Sequence, residues 1–212
     1  MTEIWFIRHG ETAWNHEGRL QGWQDIELNA AGREQAAQLA ARMATIEQTF
    51  DALYSSDLQR AHTTAEPLSA ELGLRVRTEP GLRERSFGIL EGLDLARIDE
   101  IAPEAAAARK SRDPNLPIEG GESLGQFQAR ILATVEDLAQ RHSGERILAV
   151  THGGVLDIIW RHASSVALDG PRPVPLLNAS INRIGIEGRQ WQVLNWADIS
   201  HLEEESASDI VP

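Results

Sequence analysis

The stretch IWFIRHG, residues 4–10, joins an unbroken apolar run to a charged pair and a glycine. Four consecutive apolar residues without polar alternation are typical of a β-strand that is covered on both faces. Such strands belong to sheets that lie between two layers of helices, so the stretch predicts an α/β protein. The run stops at Arg8 and His9, which places a cation and an imidazole where the buried strand ends.

A second stretch, RILAVTHGG at residues 146–154, repeats this arrangement near the other end of the chain. Its apolar run also stops at a polar pair, Thr151 and His152, and glycines follow. In parallel sheets, ligands bind in the crevice outside the carboxyl ends of the strands. We therefore expect His9 and His152 to face one crevice, where the glycines let backbone N–H groups approach a ligand.

Strand-like and helix-like segments alternate along the rest of the chain. Further strands are expected at residues 50–55 and 74–77, and as a pair at 181–186 and 191–196. One helix is expected after the N-cap Asn29, another after Ser123, and a third from Gly153 to about His162. A further helix is expected after the capping pair Ser56 and Asp57 as far as Gly73. Pro67 lies inside it and predicts a kink or an early end. This alternation predicts a three-layer α/β/α sandwich with a mostly parallel central sheet.

The length of the chain suits one domain over residues 1–212. An inserted segment of loops and short helices is expected at about residues 88–121, where Arg, Glu, Ala and Pro dominate and DPNLP is typical of a loop. From about residue 203 to residue 212 the sequence is an acidic tail.

Composition excludes several classes of function. The net charge of -12, from 32 acidic and 20 basic residues, argues against nucleic acid or a membrane surface as a partner, because both require a basic face. The absence of cysteine excludes a thiol nucleophile, a disulfide framework and a thiolate metal site. With no secretory signal and no apolar run of about 20 residues, the expected location is cytoplasmic.

The predicted crevice collects positive charge in an acidic protein. Arg8, His9 and His152 come from the strand ends, and Arg60 lies early enough in the following helix to reach the same place. Arginine forks match the geometry of phosphate or carboxylate, so a phosphoryl group is the natural occupant. One imidazole can attack phosphorus in line and form a phosphohistidine. Glu84, on the loop after the third strand, is the best candidate to protonate the leaving alkoxide.

Four segments in chain order, RHGETAWN, SSDLQRAHTTA, LRERSFGILEG and VTHGG, resemble the motifs of the histidine phosphatase superfamily, the phosphoglycerate mutase-like group. The resemblance extends from residue 4 to about residue 196. It implies that His9 is the nucleophile and is transiently phosphorylated. Arg8, Arg60 and His152 would hold the phosphoryl oxygens, and Glu84 would serve as general acid and later as general base. The family fold is a mostly parallel three-layer α/β sandwich, and its reaction needs no metal and no other cofactor.

The same resemblance implies a set of substrate-binding residues: Asn15 would assist the phosphoryl clamp, Gln21 and Gly22 would line the mouth, and Gly153 would approach the ligand. The partner would be a phosphorylated small molecule. The oligomeric state stays open, with a homodimer as one possibility.

Two features favour a phosphomonoester hydrolase over a cofactor-dependent phosphoglycerate mutase. Glu84 and His152 are only 68 positions apart (152 − 84), whereas those mutases usually carry a longer insert with a proline-rich basic stretch. Gln21 also stands where they tend to have a small hydroxyl residue. The mutase remains the alternative, and a non-catalytic relative that binds a phosphorylated ligand is a minor one.

Some of these residues also have simpler interpretations. Asn15 can cap or turn the chain, Glu84 can form an ion pair with Arg83 or Arg85, and Trp23 can touch substrate or not. The segment GESLG, residues 121–125, matches the G-x-S-x-G elbow of serine hydrolases, but no apolar strand precedes it. Its serine is instead predicted to open the long helix through a capping box.

Overall fold

In the computed structural model, which describes residues 1–171 and 174–202, six strands form one mixed sheet. The strands are β1 (Thr2–Arg8), β2 (Ala52–Ser55), β3 (Val76–Thr78), β4 (Arg146–Thr151), β5 (Ile181–Glu187) and β6 (Gln190–Asp198). They lie in the order β3-β2-β4-β1-β5-β6, with the first four parallel and the last two joined by antiparallel pairing. The mostly parallel sheet is therefore confirmed. The predicted acidic tail lies outside the described residues.

Helices cover both faces of this sheet. They are α1 (Ala13–His16), α2 (Ala30–Ala44), α3 (Gln59–Leu72), α4 (Ile98–Ile101), α5 (Pro103–Ser111), α6 (Leu124–Arg141) and α7 (Gly153–Ala163). Successive side chains of β1 point to opposite faces, so Ile4 and Phe6 pack with α6 and α7, while Trp5 and Ile7 pack with α2 and α3. This is why the opening apolar run has no polar alternation, and it confirms the three-layer sandwich.

Two helices begin at the residues that local sequence predicts. The Asn29 side chain accepts the N–H of Gly32 at 2.8 Å and caps α2. Ser123 accepts the N–H of Gln126 at 3.1 Å, and the Gln126 side chain accepts the N–H of Ser123 at 2.9 Å. This is the predicted capping box of α6, which gives the serine of the GESLG segment a structural role.

The predicted start of α3 is wrong. Its N-cap is Leu58, which makes no side-chain cap hydrogen bond, rather than Ser56 or Asp57. Tertiary partners occupy both of those polar side chains: His152 bonds to Ser56, and Arg83 binds Asp57. Ser56 keeps one local bond, from the N–H of Leu58 at 3.3 Å, but neither side chain is the N-cap of α3.

An early end of α3 at Pro67 is also not observed, since the helix continues to Leu72. Proline removes one helical N–H and usually ends or kinks a helix. Here the next residue, Leu68, is fully buried in the apolar core, and this burial holds the helix against the sheet beyond the proline.

The segment at residues 88–121 contains α4 and α5 and packs on a small apolar cluster of its own. The cluster consists of Leu20, Phe87, Leu90, Ile98, Ala105, Ala106 and Ile118. It fixes α5 near the carboxyl edge of the sheet, where the cavity described below is found. No helix within the described ranges is long and apolar enough to cross a membrane.

Candidate active site

The carboxyl ends of β1, β2 and β4 lie at the same edge of the sheet. Arg8 at the end of β1 is in register with Thr151 at the end of β4. Ser55 at the end of β2 is in register with Val150, one residue earlier. The N–H of His9 donates to the carbonyl oxygen of Thr151 at 2.9 Å and extends this alignment beyond the strands. The residues that follow the three strands therefore meet in one place.

A cavity of about 360 Å³ opens at this edge. Its lining includes the predicted residues Arg8, His9, Asn15, Gln21, Gly22, Arg60, Glu84 and Gly153. The ring centroid of His152 lies 5.1 Å from that of His9. The structure thus brings together all of the residues that the sequence nominates for the site.

His9 presents a neutral ring with a defined tautomer. Its Nδ1 lies 2.7 Å from the carbonyl oxygen of Gly10. Because a carbonyl can only accept, Nδ1 carries the proton and Nε2 keeps its lone pair. Burial, followed by the charges of Arg60 and Arg8, lowers the pKa of His9 well below its usual value. Near neutral pH the ring is uncharged, and Nε2 is the available nucleophile.

His152 is fully buried and stands immediately before α7. Its Nε2 lies 2.8 Å from the Ser56 hydroxyl, whose oxygen accepts the N–H of Leu58 at 3.3 Å. In the tautomer in which this hydroxyl donates to Nε2, Nδ1 carries the ring proton. Among residues 1–171 and 174–202, this buried Nδ1 has no hydrogen-bond partner. Burial, and then the charge of Arg60, lowers the pKa of His152 well below its usual value. The result is a neutral ring whose donor is left for a ligand oxygen.

Two buried arginines accompany these rings. Arg60, only 1% exposed, donates to the carbonyl oxygens of Gly22 at 2.7 Å and Gln24 at 2.8 Å. Burial lowers the pKa of Arg60 to about 10, so the side chain still carries its charge at neutral pH. Arg8 is also buried, and its Nη1 donates to the carbonyl oxygen of Leu176. Buried guanidinium groups next to neutral imidazoles suit the oxygens of a phosphoryl group.

The carboxylate of Glu84 is held by backbone donors at the cavity wall. Its Oε2 accepts the N–H of Gly154 at 2.9 Å, and its Oε1 accepts the N–H of Arg85 at 2.8 Å. A Cβ on Gly154 would lie 2.1 Å from Oε1, so the carboxylate can occupy this position only beside a glycine. The alternative ion pairs do not form: Arg83 binds Asp57 at 2.6 and 2.7 Å, and Arg85 contacts Glu84 through its backbone.

Side chains near the mouth show both expected and alternative roles. The Oδ1 of Asn15 accepts from the backbone and the hydroxyl of Thr12, the N-cap of α1, so Asn15 completes a capping box, and only its Nδ2 can donate to a ligand. Gln21 is buried, and its Oε1 has no hydrogen-bond partner in the described part of the chain. Trp23 donates through Nε1 to the carbonyl oxygen of Glu84 at 2.8 Å and is not among the lining residues. Trp23 therefore supports the loop of Glu84.

Four further cations line the cavity that the sequence analysis did not nominate, here called the cationic wall: Arg85, Arg109, Lys110 and Arg112. Burial lowers the pKa of Arg85 to about 10 and, together with the charge of Arg112, lowers the pKa of Arg109. Lys110 is paired with Asp99, and Arg112 is paired with Asp157 at 2.9 Å. The Arg109 guanidinium forms no side-chain hydrogen bond or ion pair with the described residues. The sequence signal for this wall is the basic run RKSR at residues 109–112.

Comparison with known proteins agrees with this geometry. The family model described as "Histidine phosphatase superfamily (branch 1)" matches residues 4–199. From Arabidopsis thaliana, "Phosphoglycerate mutase-like protein 4" is 42% identical over 205 residues, which are 95% of this chain and 87% of that protein. "Metal-independent phosphoserine phosphatase" from the same plant is 40% identical over 204 residues, 95% of this chain and 84% of that protein. The solved structure of Bacillus stearothermophilus YhfR superposes with a TM-score of 0.87 at 33% identity, covering 96% of this chain and all of that one.

Proposed function

This chain belongs to the histidine phosphatase superfamily and is a phosphomonoester hydrolase, and we propose that it works through a phosphohistidine at His9. One observation carries this proposal: two buried neutral imidazoles lie beside the buried guanidinium groups of Arg8 and Arg60. A neutral imidazole is a nucleophile, and buried guanidinium groups stabilise the charge that develops on phosphoryl oxygens.

In the first step, the lone pair of His9 Nε2 attacks phosphorus, and the Nε2–P bond forms as the P–O ester bond breaks. The leaving alkoxide keeps the electron pair of that bond and takes a proton from Glu84. Arg8, Arg60 and the Nδ1–H of His152 hold the phosphoryl oxygens, with the Nδ2 of Asn15 as a further donor.

In the second step, water attacks phosphorus and gives its proton to the Glu84 carboxylate. The Nε2–P bond breaks, its electron pair returns to His9, and inorganic phosphate leaves. One carboxyl group thus serves both steps, first as acid and then as base, because the leaving alkoxide and the entering water occupy the same in-line position.

We infer that the substrate carries a second anionic group beside its phosphate. The cationic wall supplies positive charge beyond what one phosphoryl group requires, and Arg109 forms no ion pair with the described residues, since the nearby Asp99 is paired with Lys110. One similar Arabidopsis thaliana protein is named a phosphoserine phosphatase, and phosphoserine has a carboxylate of this kind. Phosphoserine is therefore the first substrate to assay.

The covalent step is tested by acid-free rapid denaturation of the enzyme after mixing it with ³²P-labelled substrate. The wild-type protein is expected to retain a base-stable, acid-labile label, and His9→Ala is expected to retain none. Label of the same stability on His9→Ala would show that another residue accepts the phosphoryl group.

The role of Glu84 is tested by changing the leaving group. Glu84→Gln should reduce kcat/KM on the order of 10²-fold or more for an alkyl phosphate, which needs a proton on its leaving oxygen. The loss should be much smaller for p-nitrophenyl phosphate, whose leaving group needs little protonation. Equal losses on both substrates would remove Glu84 from the acid role.

Hydrolase and mutase are distinguished by following the phosphate. We expect release of inorganic phosphate from phosphoserine, from phosphoglycerates or from both. Phosphoglycerate interconversion that depends on 2,3-bisphosphoglycerate and exceeds this release would overturn the hydrolase proposal. A cytoplasmic location and a homodimer rest on the sequence alone, and cell fractionation and light scattering are their tests.

A further inference from the structure

Arg130 of α6 contacts the loop that carries Glu84, here called the acid loop (residues 81–86). Its Nη1 donates to the carbonyl oxygens of Gly81 and Arg83, each at 2.9 Å. Its Nη2 donates to the carbonyl oxygen of Glu84 at 3.1 Å. One guanidinium group therefore binds three backbone carbonyls of a short loop, including that of the proposed general acid.

The remaining donors of Arg130 bind Glu122, the residue before the N-cap of α6. The Nε and Nη2 of Arg130 lie 2.8 and 2.7 Å from the Glu122 carboxylate oxygens. A guanidinium has five N–H donors, so all of them have acceptors here. The same carboxylate accepts the N–H of Ser86 at 2.9 Å, and the Glu122 carbonyl oxygen accepts from the Arg85 side chain. Arg130 and Glu122 together fix both ends of the acid loop.

We propose that Arg130 is a positioning residue for Glu84 and holds the acid loop where its carboxylate can reach the leaving oxygen. All five donors of Arg130 are already bound to the acid loop and Glu122, so Arg130 acts through Glu84 and not by touching substrate. The inference rests on the proposed function, in which Glu84 is the general acid. Misplacing a catalytic group by about 1 Å can cost on the order of 10²-fold in rate.

The geometry requires arginine at this position. Three carbonyl oxygens and a bidentate carboxylate surround one planar fork, which a guanidinium matches in shape and charge. Lysine keeps the charge but has three donors on a single atom, and glutamine has two donors and no charge. Arg130→Lys should therefore retain part of the function, and Arg130→Gln should retain less.

The experiment compares kcat/KM for an alkyl phosphate and for p-nitrophenyl phosphate. In Arg130→Gln, kcat/KM for the alkyl phosphate should fall about tenfold or more beyond the fall in kcat/KM for p-nitrophenyl phosphate. The ratio of the two values in Arg130→Lys should lie between that of Arg130→Gln and that of the wild type. Arg33→Lys changes an exposed arginine that pairs with Glu27 and should leave the ratio unchanged. Should Arg130→Gln fail to fold, as judged by thermal unfolding, Arg130→Lys still gives the comparison.

A double variant separates positioning from general stability. In a Glu84→Gln background, Arg130→Gln should add no further leaving-group-selective loss, because the acid is already absent. Equal losses on both substrates in the single variant, or an added selective loss in the double variant, would overturn the proposal. A selective loss in Glu84→Gln but not in Arg130→Gln refutes the positioning role alone. No selective loss in either refutes the acid assignment and the positioning role together.

Discussion

At the scale of single residues, the cavity keeps arginines charged and histidines neutral in the same surroundings. Burial disfavours the charged form of both types of side chain. The ordinary pKa of an arginine is much higher than that of a histidine, so Arg60 stays protonated at neutral pH even with its pKa lowered to about 10. His9 and His152 start near neutrality, and burial beside Arg60 and Arg8 moves their pKa values well below it. The cations proposed to bind a phosphoryl group thus also keep the proposed nucleophile, His9, unprotonated.

This arrangement predicts an acid-sensitive fold. In the unfolded chain, a histidine has a pKa of about 6.5, whereas the folded protein holds the pKa values of His9 and His152 well below this. As pH falls below about 6.5, the unfolded chain binds protons that the folded protein does not, so the free energy of unfolding decreases. Above about pH 6.5 both histidines are neutral in the folded and the unfolded chain, so they do not lower the free energy of unfolding. Below about pH 6.5, each of them lowers the free energy of unfolding by up to about 1.4 kcal/mol per pH unit.

Urea unfolding between about pH 7 and pH 5 measures this slope. His152→Asn should make this slope shallower by about one bound proton. A slope that is the same in the wild type and in His152→Asn would contradict the burial of a neutral ring. The same argument predicts that the acid limb of kcat/KM due to His9 lies below pH 6.5.

Ser56 should act through the tautomer of His152. Ser56→Ala removes the partner of a fully buried Nε2, so the ring proton no longer has a preferred nitrogen. We expect kcat/KM to fall about tenfold, since a lost buried hydrogen bond costs roughly 1–3 kcal/mol. The matched control is Ser55→Ala, because the Ser55 hydroxyl is equally buried but donates to the Ser56 carbonyl. Equal losses in the two variants would mean that the effect is one of packing.

At the scale of elements, the first turn of α7 and the acid loop are fitted to each other. Alanine normally stabilises a helix relative to glycine. At Gly154, however, a Cβ would lie 2.1 Å from the Oε1 of Glu84. Gly154→Ala should therefore destabilise the fold by about 1–3 kcal/mol through overpacking, and it should displace the acid.

A double-variant cycle tests this steric origin. In a Glu84→Ala background the clash is absent, so adding Gly154→Ala should be neutral or stabilising in chemical unfolding. If Gly154→Ala costs the same free energy of unfolding in both backgrounds, Glu84 is not the cause.

The elements also show where sequence is sufficient and where it is not. The caps at Asn29 and Ser123 are predictable because each uses hydrogen bonds within three residues. The start of α3 is not, because Asp57 has the same local chemistry but pairs with an arginine 26 positions away. A local pattern cannot reveal which distant partner will compete for a side chain.

At the scale of the whole molecule, the residues proposed to hold the phosphoryl group can be predicted from sequence, whereas the cationic wall cannot. Arg8 ends β1, and His9 and His152 directly follow β1 and β4; parallel topology brings these strand ends together, so the sequence predicts that the three residues meet. Arg109 and Arg112 reach the cavity only because the segment at residues 88–121 folds on its own apolar cluster. No periodic pattern specifies that arrangement.

Charge distribution leads to the last prediction. The chain has a net charge of -12, yet its cavity is lined by arginines, so an anionic substrate is attracted only locally. Arg109 forms no ion pair with the described residues, because the nearby Asp99 is paired with Lys110, so its charge is available to a second anionic group. Arg109→Gln should lower kcat/KM for phosphoserine about tenfold, since a hydrogen bond to a charged group contributes roughly 1.5–3 kcal/mol.

The p-nitrophenyl ester has no second anion, so its hydrolysis should change little in Arg109→Gln. Arg97→Gln is the matched control, because Arg97 lies in the same segment but is exposed and paired with Glu100. High salt should weaken phosphoserine turnover in the wild type more than in Arg109→Gln, because the variant lacks the screened attraction. If Arg109→Gln lowers kcat/KM equally for both esters, the residue stabilises the shared phosphoryl group or the fold, and the wall does not select a second anion.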